Sequence, residues 1–511
     1  MKSFLYPPEG RSRVLLVFPR LFAKRTYQED DYPHFPLSTL HLAAALKEDN
    51  VEVDILDGRT DQNYRDKILA HRDDLLFVGF SCLTGQISHG VEIARFVRER
   101  CPEIPLVWGG WHPTIFHEAS LRSPLADVVA RGEGEEIVRD LTRAFQKRSG
   151  LEDILGITYK ANGDIRVNPD RPIAREFKKL ELPYELLDSR RYEVSKGRVS
   201  IITSRGCPQN CSYCSIQSYY TRHWYGRTAA EIVDQVEYLK NRFNVRHVTF
   251  QDSNYFVDPR RTKAVSEEMI RRGLDITWEA SGHTKAMIAT GKETLELVRK
   301  SGCQQISVGV ESGSPRMLNI IHKGLKLEDV FKLVGLIDGS GITFRANYII
   351  GLPGETTEDL MATFNMVRKL HNIYPNLKVS VYMYHPIPGS PLYEEEMKGG
   401  QIIDYPTLLE EWSNFEIESD TGWDATRPWR GKDLIDNYRD RDHVRAMSFY
   451  LWGGCLSAGF ERRLPNIGQK LAYRLLQKMS TFRLDHELYS LPVEWWAYQA
   501  YRSRKHGSHQ T

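Results

Sequence analysis

Cys207, Cys211 and Cys214 fall in the stretch SRGCPQNCSYCSIQ that begins at Ser204, a C-x3-C-x2-C array on a single loop. Three thiolates so placed hold three irons of a cubane cluster and leave the fourth iron open to another ligand. A structural zinc normally takes a fourth protein ligand close by. The next cysteine, Cys303, is far along the chain, so a zinc knuckle here would have to be completed by His223. Three ordinary buried thiols are the remaining reading. Seven cysteines in 511 residues are too sparse for a disulfide scaffold.

The elements that must position this loop follow from the apolar pattern. From Val14, short apolar strands alternate with helices: VLLVFP at 14, VEVDILD at 51, LLFVGFS at 75, PLVWGG at 105 and ADVVARG at 126, with helical spacing over Leu37 to Glu48 and Ser88 to Glu99. This predicts a doubly wound parallel sheet over residues 1–150. Residues 151–197 read as a linker with a hairpin around Asn162-Gly163 followed by the Pro-punctuated EFKKLELPYELLD. Over 198–398 alternation resumes, with RVSIITS at 198, HVTFQDS at 247, ITWEASG at 276, QISVGVES at 305, FRANYIIG at 344 and KVSVYMYHP at 378. Six such strands fit a partial parallel β/α barrel, whose chemistry sits at the C-terminal strand ends. Residues 399–511 form a mainly helical C-terminal domain holding six of the ten Trp: Trp412, Trp423, Trp429, Trp452, Trp495 and Trp496. The fold class is α/β.

Composition narrows the function. A net charge of +2, from 69 Lys+Arg against 67 Asp+Glu, supplies no basic face for nucleic acid. The apolar runs stop far short of the roughly 20 residues of a membrane span, and no basic-then-apolar signal pattern is seen, so a soluble cytoplasmic protein is expected.

C-x3-C-x-(aromatic)-C after the first strand of six, with Tyr213 as the aromatic, resembles the radical SAM superfamily over roughly Arg198 to Tyr393. The resemblance implies a 4Fe-4S cluster on the three cysteines that chelates S-adenosylmethionine. It implies reductive cleavage of that cosubstrate to a 5'-deoxyadenosyl radical, with an external electron donor of flavodoxin or ferredoxin type. Hydrogen abstraction from an unactivated carbon is beyond side-chain acids and bases, so a cofactor must carry it. In the family, polar residues at strand ends hold the cosubstrate. Here Asp252 closes the second strand, Glu279 lies in the third, Glu311 ends the fourth, and Gly351 opens GLPGET after the fifth. A lone acid at a strand end otherwise reads as a helix cap or ion-pair partner. The Gly-Gly-Glu that many members carry after the second strand is replaced by Gln251, Asp252 and Ser253.

An α/β sheet ahead of such a barrel resembles the cobalamin-binding domain of one branch of that superfamily, and HPIPGSPLY from His385 looks like that branch's terminal loop. The resemblance assigns Ser81 and Thr84 to the nucleotide tail, Gly109 and Gly110 to close backbone approach, and Gly132 and Glu133 to the same ligand. All follow strands, where open α/β sheets dock ligands. The chain has no Asp-x-His-x-x-Gly motif, so the cobalt is expected to lack a histidine ligand and to face Leu83. His112 reads as a helix-start or turn histidine rather than a cobalt ligand. A domain that has lost its cofactor is the alternative.

The expected function is therefore a cobalamin-dependent radical SAM C-methyltransferase that uses methylcobalamin to methylate an unactivated carbon of a small-molecule substrate, with a large or lipophilic molecule as one candidate. Two alternatives stand beside it: the same cofactors without methyl transfer (oxidative cyclisation, rearrangement or dehydrogenation), and a non-catalytic zinc-binding scaffold. The Trp-rich segment, with ERRLPNIGQKLAYRLLQK at 461, reads first as a helical lid and second as an amphipathic face for peripheral membrane contact.

Overall fold

The computed structural model describes residues 6–21, 32–178, 180–384, 386–399, 406, 408–414, 467–486, 493–494 and 496–497. His385, Cys455, Trp423, Trp429, Trp452, Trp495 and most of the expected C-terminal domain lie outside the described residues. The chain forms two compact units. The first takes the described residues of 1–206, 215–251 and 404–428, the second those of 207–214, 252–403 and 429–511.

The first unit is built on a seven-stranded sheet in the order β2-β1-β3-β4-β5-β6-β7. Its strands are β1 (Arg13–Phe18), β2 (Glu52–Asp57), β3 (Leu75–Ser81), β4 (Leu106–Gly109), β5 (Val128–Ala130), β6 (Ile157–Ala161) and β7 (Asp164–Val167). The first five pair in parallel. β1 and β3 are buried nearly throughout, as strands covered on both faces by helices must be. Trp108 stacks on Phe80 at 4.5 Å between ring centroids and donates from Nε1 to the Leu125 carbonyl at 2.8 Å.

The hairpin predicted around Asn162-Gly163 is present, with φ of 54° and 92° at the two turn residues. It belongs to the sheet rather than to a linker. β6 pairs antiparallel with β5, Val128 opposite Tyr159, so the sheet runs past Gly150. The physical reason is the exposed edge of β5, only three residues long, which the hairpin covers. Arg131 fixes the join, donating to the carbonyls of Ile157 and Asn168 at 2.6 Å each.

Four further strands belong to this unit: β8 (Arg198–Ile201), β9 (Ser204–Gly206), β10 (Trp224–Gly226) and β11 (His247–Phe250). β8 pairs in parallel with β11, and β9 antiparallel with β10. The single strand expected at 198 is thus split after Ile201. Gly206, at φ 77°, turns the chain where an added Cβ would stand 2.1 Å from the His223 carbonyl oxygen.

The second unit holds β12 (Thr277–Gly282), β13 (Cys303–Glu311), β14 (Thr343–Ile350) and β15 (Lys378–Met383), all parallel to their neighbours in the order β15-β14-β13-β12. The helices before β12 and after β15 start on chemically apt caps. Asp258 accepts from the Arg260 and Arg261 amides ahead of Pro259–Arg271, and Ser390 caps Pro391–Lys398 with Pro at its first position. All six strands expected over 198–398 are strands. Among the described residues no helix is long and apolar enough to cross a membrane.

Candidate cofactor sites

In the first unit the strand order β2-β1-β3 reverses direction between β1 and β3, which opens a crevice at the carboxyl ends of the strands. A cavity of about 690 Å³ lies there, within the range of a cofactor site. Ser81, Leu83, Gly109, Gly110, Gly132 and Glu133 all line it. Thr84 does not; its hydroxyl sits 3.2 Å from His112 Nδ1. Leu83 is 46% exposed, an apolar side chain left open at a cavity wall. Gly110 has φ 90°, and a Cβ there would stand 2.7 Å from the backbone nitrogen and oxygen of Cys82, so only glycine fits.

His112 is 1% exposed and packs edge-on against Trp412 at 4.5 Å and beside Phe116 at 4.9 Å. Burial pushes its pKa down to about 3, which keeps the imidazole neutral in an aromatic core. It lies in the first turn of the short helix Trp111–Ile115, as a helix-start histidine would, and is not among the cavity-lining residues.

Glu133 does more than line the wall. Its Oε1 accepts from Tyr220 Oη at 3.2 Å, from Arg205 Nη1 at 3.3 Å and, in a very short contact, from Tyr225 Oη. Arg205 also pairs with Glu135. Burial first, then the Glu133 carboxylate, raise both phenol pKa values. Glu133 therefore anchors the 219–225 segment. His41, also on the lining and 5% exposed, has no hydrogen-bond partner at Nδ1, and burial lowers its pKa to about 4. An orphaned buried nitrogen, glycine backbone and uncovered leucine fit a large ligand with polar and apolar faces.

In the second unit Cys207, Cys211 and Cys214 lie on one loop, with Cys211 buried. Among the described residues no three His, Cys, Asp or Glu side chains gather around one point as a single metal ion requires. A cubane instead meets each thiolate at a different iron. Burial raises the Cys211 thiol pKa, while the nearby Lys323 ammonium acts in the opposite sense. The all-sulfur donor set and adjacent cation fit an iron-sulfur cluster.

Tyr213, the aromatic of the array, ties this loop to the end of β13. Its hydroxyl donates to Glu311 Oε1 at 2.8 Å, and Lys323 Nζ donates to the same oxygen at 2.9 Å and to Tyr213 Oη at 3.0 Å. Glu311 and Lys323 are 6% and 4% exposed. Glu311 also holds φ 69°, a strained conformation for a residue with a Cβ. Gly309 makes the room: a Cβ there would stand 2.0 Å from Glu311 Oε1. The loop is held further by hydrogen bonds from Ser212 N–H to the Ile321 carbonyl at 3.0 Å and from Leu392 N–H to the Ser212 carbonyl at 2.8 Å.

The other strand-end candidates are spread through the unit. Asp252 is buried and pairs with Arg261 Nη2 at 3.4 Å. Glu279 accepts from Gln305 Nε2 at 3.2 Å. Gly351, at φ 75°, donates its N–H to Glu355. Ser253 is exposed. Gln251, in the first unit, donates to Ser200 at 3.4 Å.

Two family models match the chain. Residues 201–367 match the Radical SAM superfamily, and residues 28–142 match the B12 binding domain. An uncharacterized methyltransferase of Pyrococcus horikoshii is 30% identical over 374 residues, 72% of this chain and 80% of that protein.

The chain belongs to the radical SAM enzymes that carry a B12-binding domain.

As a member of that family it is an enzyme whose cofactors are a 4Fe-4S cluster, S-adenosylmethionine and cobalamin. The zinc scaffold is thereby set aside. The anaerobic magnesium-protoporphyrin IX monomethyl ester cyclase of Rubrivivax gelatinosus is 27% identical over 407 residues, 77% of this chain and 71% of the cyclase. The fold is shared with the radical S-adenosylmethionine methyltransferase TsrM from Kitasatospora setae, at a TM-score of 0.64 and 17% identity over 92% of this chain and 99% of that one.

Four residues at these sites gave no signal in the sequence. Lys323 sits in IIHKG as an unremarkable lysine before glycine, Asn254 follows Ser253 in an apparent turn, and Arg205 and Tyr225 flank the cysteine loop.

Proposed function

We propose that this radical SAM enzyme transfers a methyl group to an unactivated carbon of a small molecule. The observation that carries the reading is the 30% identical relative named a methyltransferase, taken with a chain that pairs a B12-type cavity with a thiol loop. Bound together, the cofactors supply a reductively generated carbon radical for hydrogen abstraction and a methyl donor. Cys207, Cys211 and Cys214 hold the cluster. Tyr213, Glu311 and Lys323 keep their loop in register and place one buried cation beside the sulfurs. Asp252, Glu279, Glu311 and Gly351 orient the cosubstrate. Ser81, Leu83, Gly109, Gly110 and Gly132 would hold the cobalamin, with Leu83 supplying an apolar wall that would keep water out. Thr84 steadies the wall through His112. The electron comes from a flavodoxin- or ferredoxin-type donor, and the protein works in the cytoplasm.

The 27% identical cyclase favours a second reading with the same cofactors and no methyl transfer. The test is incubation of the reduced holoenzyme with deuterated-methyl S-adenosylmethionine and a small-molecule extract of source cells. A new extract mass carrying the intact deuterated methyl supports transfer. Formation of 5'-deoxyadenosine with a product that carries no label supports the cyclase-like reading instead.

A further inference from the structure

Asn254 lies two residues past Asp252, in the turn that precedes the helix Pro259–Arg271, and is 1% exposed. Its Nδ2 donates to Cys207 Sγ at 3.8 Å, and its Oδ1 accepts from the His283 backbone N–H at 3.3 Å. The second contact fixes the first. A backbone N–H can only donate, so the amide oxygen must face His283 and the NH2 group must face the sulfur. His283 is itself held: its Nδ1 accepts from the Lys285 amide at 3.3 Å as the cap of the helix Thr284–Lys300. Its Nε2 stands 3.4 Å from the Lys323 carbonyl oxygen. The amide thus has one orientation, set by the end of β12, and a buried N–H aimed at one cluster cysteine.

We infer that Asn254 is a positioning residue that sets the reduction potential of the cluster through its hydrogen bond to Cys207, resting on the cluster assignment proposed above. Adding an electron places more negative charge on the thiolate sulfurs. A buried N–H donor therefore favours the reduced cluster, and hydrogen bonds to the sulfurs are a principal control of iron-sulfur potentials. The low dielectric around a 1% exposed amide strengthens the effect. No bond is made or broken; the same single electron enters with or without the donor. Asn254 acts on how readily that electron is accepted.

The experiment is an EPR-monitored redox titration of the full chain, purified anaerobically, comparing the wild type with Asn254→Ala and Asn254→Asp. Both variants lack the N–H donor, and Asn254→Asp keeps an oxygen acceptor for the His283 N–H. Expected is about a tenfold lower reduced-to-oxidised ratio at a fixed potential in Asn254→Ala, equal to about 59 mV more negative for one electron. Asn254→Asp should move at least as far. Either variant at the wild-type potential with full iron and sulfide content overturns the inference. A second measurement needs no variant: protein labelled with 15N asparagine should show a 15N coupling to the reduced cluster by pulsed EPR, and its absence overturns the inference equally. A wild type that assembles no 4Fe-4S cluster would refute the cluster assignment itself, an outcome distinct from either.

Discussion

Glu311→Gln is the sharpest single perturbation of the thiol loop. It keeps the shape of the side chain and removes one charge from a pair whose members are 8% and 5% exposed in their side chains, at 2.9 Å. Lys323 then stays buried with its ammonium uncompensated, and Tyr213 loses its charged acceptor. Breaking a buried ion pair by deleting one partner costs about 3–5 kcal/mol. In urea this moves the midpoint of the transition down by on the order of 1 M or more. The assay is anaerobic urea titration followed by the visible absorbance of the iron-sulfur cluster, which reports on the unit holding the loop. Replacing both partners, Glu311→Gln with Lys323→Met, removes the orphaned charge and should recover on the order of 1–3 kcal/mol relative to the sum of the single changes. An unshifted midpoint in Glu311→Gln, or strictly additive single changes, would refute the claim that this pair holds the loop.

Other outcomes follow from the same contacts. Gly309→Ala places a methyl against the Glu311 carboxylate and should lower the same urea midpoint in the same direction as Glu311→Gln. Gly110→Ala forces a side chain onto the Cys82 backbone at φ 90°, and the purified variant should retain much less cobalamin by its visible spectrum than the wild type. Glu396 is buried beside Tyr384, and burial raises its pKa to about 7. Since the folded pKa lies above the unfolded one, its stability contribution is full below pH 4.5 and is lost as pH rises through about 7. Glu396→Gln should therefore raise the melting temperature more at pH 8 than at pH 5.5, and an equal effect at both would count against the burial argument.

Much of this organisation is legible in residue order. Parallel strands buried on both faces appear as unbroken apolar runs, which is why β1 and β3 stand where VLLVF and LLFVGF fall, while β13 shows the alternation of ISVGVE in its burial. The cysteine spacing is local, so the loop chemistry was readable at once. Pairing across distance was not. Nothing in ITYKA says that β6 will cover the edge of β5, and the hairpin read as linker for that reason. Glu133 lines the cavity, but its anchoring role left no local signal because its partners, Tyr220, Tyr225 and Arg205, are far along the chain. Asp252 shows both readings of a strand-end acid at once: it is buried at the expected place and is ion-paired with Arg261. Lys323 and Asn254 matter only because folding removes them from water beside the thiols, and burial of a single polar residue leaves no periodicity to read.

The central claim is that Cys207, Cys211 and Cys214 carry the reductive chemistry. Its most direct test is anaerobic incubation of the chain with S-adenosylmethionine, cobalamin and a strong chemical reductant, measuring cosubstrate cleavage in the wild type and in Cys207→Ala/Cys211→Ala/Cys214→Ala. The wild type should show iron-sulfur absorbance and form 5'-deoxyadenosine, and the triple variant should show neither. Cleavage that persisted in the triple variant would contradict the account.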